Sequence, residues 1–147
     1  MLTIDMKDSM TAAPLTTAPA RGLRVFTALV GVTTLGVFLQ AVTAGEFVSQ
    51  KDREGWITAH NIVANATIVV ALVLAIVGIV AVRSVDRVLS WSAASLFGLL
   101  VIQTALGHLI TDAKVDGLIG VHVPLAFAVF ALAIWLSVRT AAVRRRG

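Results

Sequence analysis

Four long apolar runs, at residues 25–45, 57–82, 88–111 and 118–138, constrain this chain more than any other feature. At 1.5 Å of rise per helical residue, each is long enough to cross a hydrocarbon layer of about 30 Å with some tilt. Val, Ile and Thr are frequent in them, yet the runs lack the period-two alternation and the length of about ten residues expected of barrel strands. Helices, by contrast, satisfy their own backbone polar groups in lipid. With 58% hydrophobic residues, 14% charged residues and a mean hydropathy of +0.92, the composition does not describe a water-soluble core. The expected fold is an all-α membrane protein, an antiparallel bundle of four transmembrane helices in contact with the lipid bilayer.

Charge supplies the orientation. Lys51, Arg53 and Lys114 fall on one side of the expected spans and every other Lys and Arg on the opposite side. By the positive-inside rule this predicts a multi-pass protein of the plasma membrane with both termini cytoplasmic and outer loops at 46–56 and 112–117. Residues 1–24 lack the basic start and apolar centre of a secretory signal and read as a disordered cytoplasmic tail. Residues 140–147 read as a short basic cytoplasmic tail, with Arg144, Arg145 and Arg146 as a stop-transfer anchor. Trp56, Trp91 and Trp135 fall at span ends, where interfacial anchors belong. The net charge of +4 therefore reports topology; no basic face of the kind that binds nucleic acid is formed. The absence of cysteine removes disulfides, iron–sulfur clusters and thiolate chemistry. No phosphate-binding glycine loop, serine nucleophile motif or HExxH sequence supports a hydrolase.

The chain also repeats itself. Gln40 is followed by Gly55-Trp-Ile-Thr-Ala-His60, and Gln103 by Gly117-Leu-Ile-Gly-Val-His122, at nearly equal Gln-to-His spacing. The pattern Gly-x-Ile-x-x-His predicts two repeated helical hairpins related by a pseudo-two-fold axis along the membrane normal. Such an axis sets His60 and His122 opposite each other on the second and fourth helices, with Gln40 and Gln103 on the other diagonal. At 1.5 Å per residue, His60, His108 and His122 all lie roughly 5 to 6 Å below the outer boundary.

Ionisable groups inside spans face an interior or a cavity, where they find partners or serve function. A shallow histidine taken singly is more often bonded between helices or to headgroup water. The repeat makes His60 and His122 the stronger pair of metal-ligand candidates, and His108, which has no repeat partner, a weaker one. Below His60 lie Ala64, Thr67 and Ala71, and below His122 lie Ala126, Val129 and Ala133, at helical steps of three or four. These small side chains leave room for a flat cofactor, and equally permit close helix packing without one. Pro124 removes a helical hydrogen bond close to His122. Two opposed histidines suit the axial positions of haem b iron. Gln40 and Gln103 are candidates for contact with a cofactor or for bonding to each other, and Asn61 and Asn65 for structural bonding. Zinc is a lesser alternative, drawing on the three histidines with Glu46 or Asp112.

At Gln103-Thr-Ala-Leu-Gly107 and Leu118-Ile-Gly-Val-His122-Val-Pro-Leu-Ala126 the chain resembles one four-helix half of a haem A synthase. It is more similar still to small four-helix actinobacterial membrane proteins of unknown function. The resemblance implies haem ligation from the second and fourth helices near the outer face, at the positions held here by His60 and His122. Asn61 stands where the synthase family has Arg, its outer-loop cysteines are missing, and the equivalent of one half is present, so synthase activity is not implied. Two functions follow as expectations. One is a b-type haem protein, an electron carrier or an accessory to respiratory or haem-handling machinery, and not itself an enzyme. The other is a structural or partner-binding membrane subunit without a cofactor.

Overall fold

The computed structural model describes residues 17–51 and 53–145, and among these it contains helices, turns and no strand. Helix α1 spans Thr17–Ser49 and α2 spans Arg53–Val77, continuing through a π-helical turn at Gly78–Val82. Helix α3 spans Arg87–Thr111, and α4 spans Ile119–Arg144 after a short 3-10 turn at Asp116–Leu118. All four are long and apolar enough to cross a membrane. Val80, Phe127 and Val138 are 81%, 73% and 65% exposed, a surface that water would penalise and hydrocarbon matches.

Several boundaries differ from the sequence expectation. Residues 17–24, assigned to a disordered tail, are helical, while residues 1–16 of that tail lie outside the described residues. Pro19 falls in the first turn of α1, where the N–H it lacks has no helical acceptor. The expected outer loop at 46–56 contracts to a short connection around Gln50 and Lys51, and Gln50 N still bonds Glu46 O at 2.9 Å. The tail expected at 140–147 is helical through Arg144, and Thr140 within it is fully buried. In each case helix propagation, which adds one backbone bond per residue, carries the element past its apolar run.

Helix α1 packs on α2 and α4, and α3 packs on the same two; α1 and α3 are not neighbours, nor are α2 and α4. The four helices thus form a ring with α2 facing α4 across it. At one end Asp86 caps α3 by accepting Val88 N and Leu89 N at 2.9 and 3.0 Å, and its other oxygen receives Arg139 Nη2 from α4 at 2.9 Å. A Cβ at Gly22 would lie 2.8 Å from Ala81 Cβ, so the missing side chain is what lets α1 and the end of α2 approach. Phe26, Leu74, Leu89, Leu96 and Leu136 fill this half of the ring and are all buried.

Candidate functional site

The opposite end of the ring is hollow. A cavity of about 440 Å³ lies among all four helices, within the range of small-molecule sites. His60, His122, Gln40 and Gln103 all line it, together with Asn61, Thr104 and His108. Its remaining walls are apolar, and small residues make the space: Ala41 and Ala44 on α1, Ala64 on α2, Gly107 on α3 and Ala126 on α4. A Cβ placed on Gly107 would meet His122 Cε1 at 3.5 Å. Of the residues one or more turns below the two histidines, Ala64, Thr67, Ala71, Val129 and Ala133 are buried, so both helices present these faces to the interior.

His60 is held by the end of α1. Its Nδ1 lies 3.1 Å from Gln40 O and 3.0 Å from Thr43 Oγ1. A carbonyl only accepts, so the bond to Gln40 requires the proton on Nδ1 and leaves Nε2 with the lone pair. Thr43 Oγ1 donates onward to Leu39 O at 2.9 Å, and the Phe47 ring packs edge-on against the imidazole at a centroid distance of 5.6 Å. This is the arrangement that orients an imidazole ligand: one nitrogen donating to a backbone carbonyl, the other free.

His122 is held differently. Gln103 Nε2 donates to His122 O at 2.8 Å, fixing the backbone of α4 rather than the ring. The His122 Nδ1 and Gln103 Oε1 atoms are buried with no hydrogen-bond partner. Buried polar atoms ordinarily have partners, and leaving one unpaired costs about 1–3 kcal/mol. Both residues border the cavity, while the other unpaired buried atoms, Thr33 Oγ1, Ser90 Oγ and Thr140 Oγ1, lie on residues away from it.

No family model, curated protein or solved structure matches this chain. The residues and their geometry therefore carry the functional argument.

The zinc set is not brought together. Among the described residues no group of three or more His, Asp or Glu side chains is placed to hold a metal ion. His108 turns to Asp112 on its own helix, Nδ1 to Oδ2 at 3.1 Å, and its side chain is 49% exposed although it borders the cavity. The Asp112 carboxyl is held below the ordinary carboxylate range, first by the Thr111 hydroxyl and then by His108. The amides do not bond each other as one sequence alternative had it: Gln103 bonds α4, and it is the backbone of Gln40 that meets His60. Asn61 borders the cavity while Asn65 is exposed, so the two do not share a role. Thr43 and Phe47 escaped the sequence reading. A Thr one helical turn past Gln40 was the available signal for the first, and no pattern marked the second.

Proposed function

We propose that this protein binds haem b between α2 and α4, with His60 and His122 as the residues that hold it. The observation that carries this reading is that the two repeat-related histidines line one cavity from opposite helices. The donor set fits. His60 keeps an unprotonated Nε2 by giving its Nδ1 proton to Gln40 O, which also raises the basicity of the ring. His122 contributes an imidazole whose Nδ1 lacks any partner in the protein, and the Gln103 amide steadies the turn that carries it. When bound at such a site, haem supplies one-electron redox chemistry. The apolar walls from Val37, Leu100, Val129 and Phe130 exclude water and so favour the less charged oxidation state.

The setting belongs to the same proposal: an antiparallel bundle of two repeated hairpins in the plasma membrane, with cytoplasmic termini and the histidine end outward. Its support is the pairing of Gln40 with His60 and of Gln103 with His122, together with the Lys and Arg distribution. The resemblance of residues 103–107 and 118–126 to half of a haem A synthase adds a respiratory or haem-handling membrane complex as the partner. A second reading, a cofactor-free structural subunit, draws on the same bonds, since His60 and Gln103 each tie a hairpin together.

Visible absorption of the detergent-purified protein, before and after adding haemin and reductant, separates the two. Sharp reduced bands of six-coordinate haem are expected, lost in His60→Ala and in His122→Ala and retained in His108→Ala. An absent spectrum leaves the structural reading standing, and one unchanged in the double His60→Ala/His122→Ala variant overturns His60 and His122 as the residues that hold haem.

A further inference from the structure

The cavity wall is complete on two helices and incomplete on the other two. On α2 the lining residues His60, Asn61 and Ala64 are half-buried or buried, and on α3 only His108, at the very end, is exposed. On α1 and α4, which are neighbours, the lining includes residues that also face outward: Phe38 is 50% exposed, Val123 45% and Phe127 73%. These side chains border the cavity and the outer surface alike, so a single layer of them separates the two. The hydrogen bonds that join α1 to α4, from Thr34 to Ala133 O and Ser137 Oγ, lie at Thr34. That is about 9 Å from the level of Gln40 toward the Asp86 end, at 1.5 Å per residue. Beside the cavity itself no described hydrogen bond closes the pair.

We infer that the cavity opens sideways between α1 and α4, past Phe38 and Phe127, and is filled from the surrounding lipid by an amphiphile with an apolar body and a hydrogen-bond-donating head. The class of ligand follows from the lining. Around the opening the walls are aromatic and aliphatic, so a water-borne polar solute gains nothing by passing them. Deeper in, Gln40, His60, Asn61 and Gln103 bring hydrogen-bonding side chains to the wall, which suits a hydroxyl or an acid group on the incoming molecule. The competing entrance, past His108 and Asp112, is lined by polar groups already bonded to each other. The inference deepens the haem reading by giving the route by which an apolar macrocycle arrives, but the opening is tested without haem.

The full chain contains no cysteine, so single cysteines can be placed without background. Protein in phosphatidylcholine vesicles is irradiated with a bilayer-dissolved fatty alcohol carrying a diazirine, and the labelled positions are read by peptide mass spectrometry. Label is expected on Val37 and Val129, which line the cavity and are buried from the outer surface. A bulky maleimide on Phe127→Cys should cut that label at least threefold, and the same adduct on Ile62→Cys, an exposed α2 position outside the cavity, should not. Label confined to outward residues such as Val138, or indifferent to the Phe127 adduct, overturns the opening. In a second measurement the Phe127 adduct should slow haemin association at least tenfold, and an adduct on Asp112→Cys, at the competing entrance and outside the cavity lining, should leave the rate alone. The reverse pattern overturns the lateral route. If no haemin binds while the alcohol still labels Val129, the haem reading falls and the opening stands.

Discussion

At the Asp86 end, Gly22 lies against Ala81 and Gly78 against the Phe26 ring, and the helices are drawn together until no room remains. At the histidine end the small residues do the opposite: Gly107, Ala64 and Ala126 face a common space of about 440 Å³. The same residue type serves close packing in one half and vacancy in the other, and what differs is the company. Where large side chains such as Phe26 and Leu74 stand opposite, small residues let them interlock. Where alanines stand opposite one another and two of the long side chains, His60 and Gln103, are tied to the neighbouring helix, a hole is left. One half is thus filled by interlocking side chains and the other holds a cavity.

This division can be broken from either side. The largest effect on stability is expected from Asp86→Ala, which removes a helix cap worth about 1 kcal/mol and the partner of Arg139, worth about 1 kcal/mol more for a partly exposed pair. Denaturation in mixed detergent should show a loss of about 2 kcal/mol. Leu74→Ala should cost about 1–2 kcal/mol, less than in a water-soluble core, because separated helices remain in lipid and only packing is lost. Equal costs for Leu74→Ala and for truncating Phe130 beside the cavity would erase the distinction between the halves. Gly107→Leu sharpens it: helix propensity should add up to about 1 kcal/mol while the side chain occupies the cavity. The haem spectrum should vanish from a protein that is no less stable, as read by melting and absorption on one sample.

The smallest effect lies at the rim. Asp112 is fully exposed, and its folded carboxyl titrates below its ordinary value of 3.8 because Thr111 and His108 bond the carboxylate. A depressed carboxyl stabilises the fold above the unfolded pKa, and that contribution fades as pH falls through the folded value. Asp112→Asn should therefore be slightly less stable than the parent at neutral pH and indistinguishable from it in strong acid. A difference that persists in acid would assign the effect to something other than charge.

The four spans were legible because apolar length is a property of the sequence itself, whereas their ends were not. Thr17 to Arg24 and Thr140 to Arg144 are helical without being continuously apolar, and hydropathy marks hydrocarbon rather than backbone bonding. The cavity was legible in part of its lining: Gln40, His60, Gln103 and His122, singled out by the sequence pattern, border it. It was not legible in its bonds. The repeat suggests equivalent contacts, yet the first half joins a His ring to a Gln carbonyl and the second a Gln amide to a His carbonyl. Which atom of a residue does the bonding depends on how the helices rotate against each other, and a one-letter repeat does not encode that rotation.

The ring of neighbours also has a consequence in time. Helix α4 follows the other three in the chain, and its contacts with both α3 and α1 are what turn the row of helices into a ring. Until it arrives, the chain is an open strip of three helices with His60 facing whatever lies alongside. A cavity lined by all four helices is therefore incomplete until α4 closes the circle. Neither His122 nor the apolar wall from Val129 and Phe130 is in place before then, so an unfinished molecule offers an open groove where the finished one has a four-walled cavity.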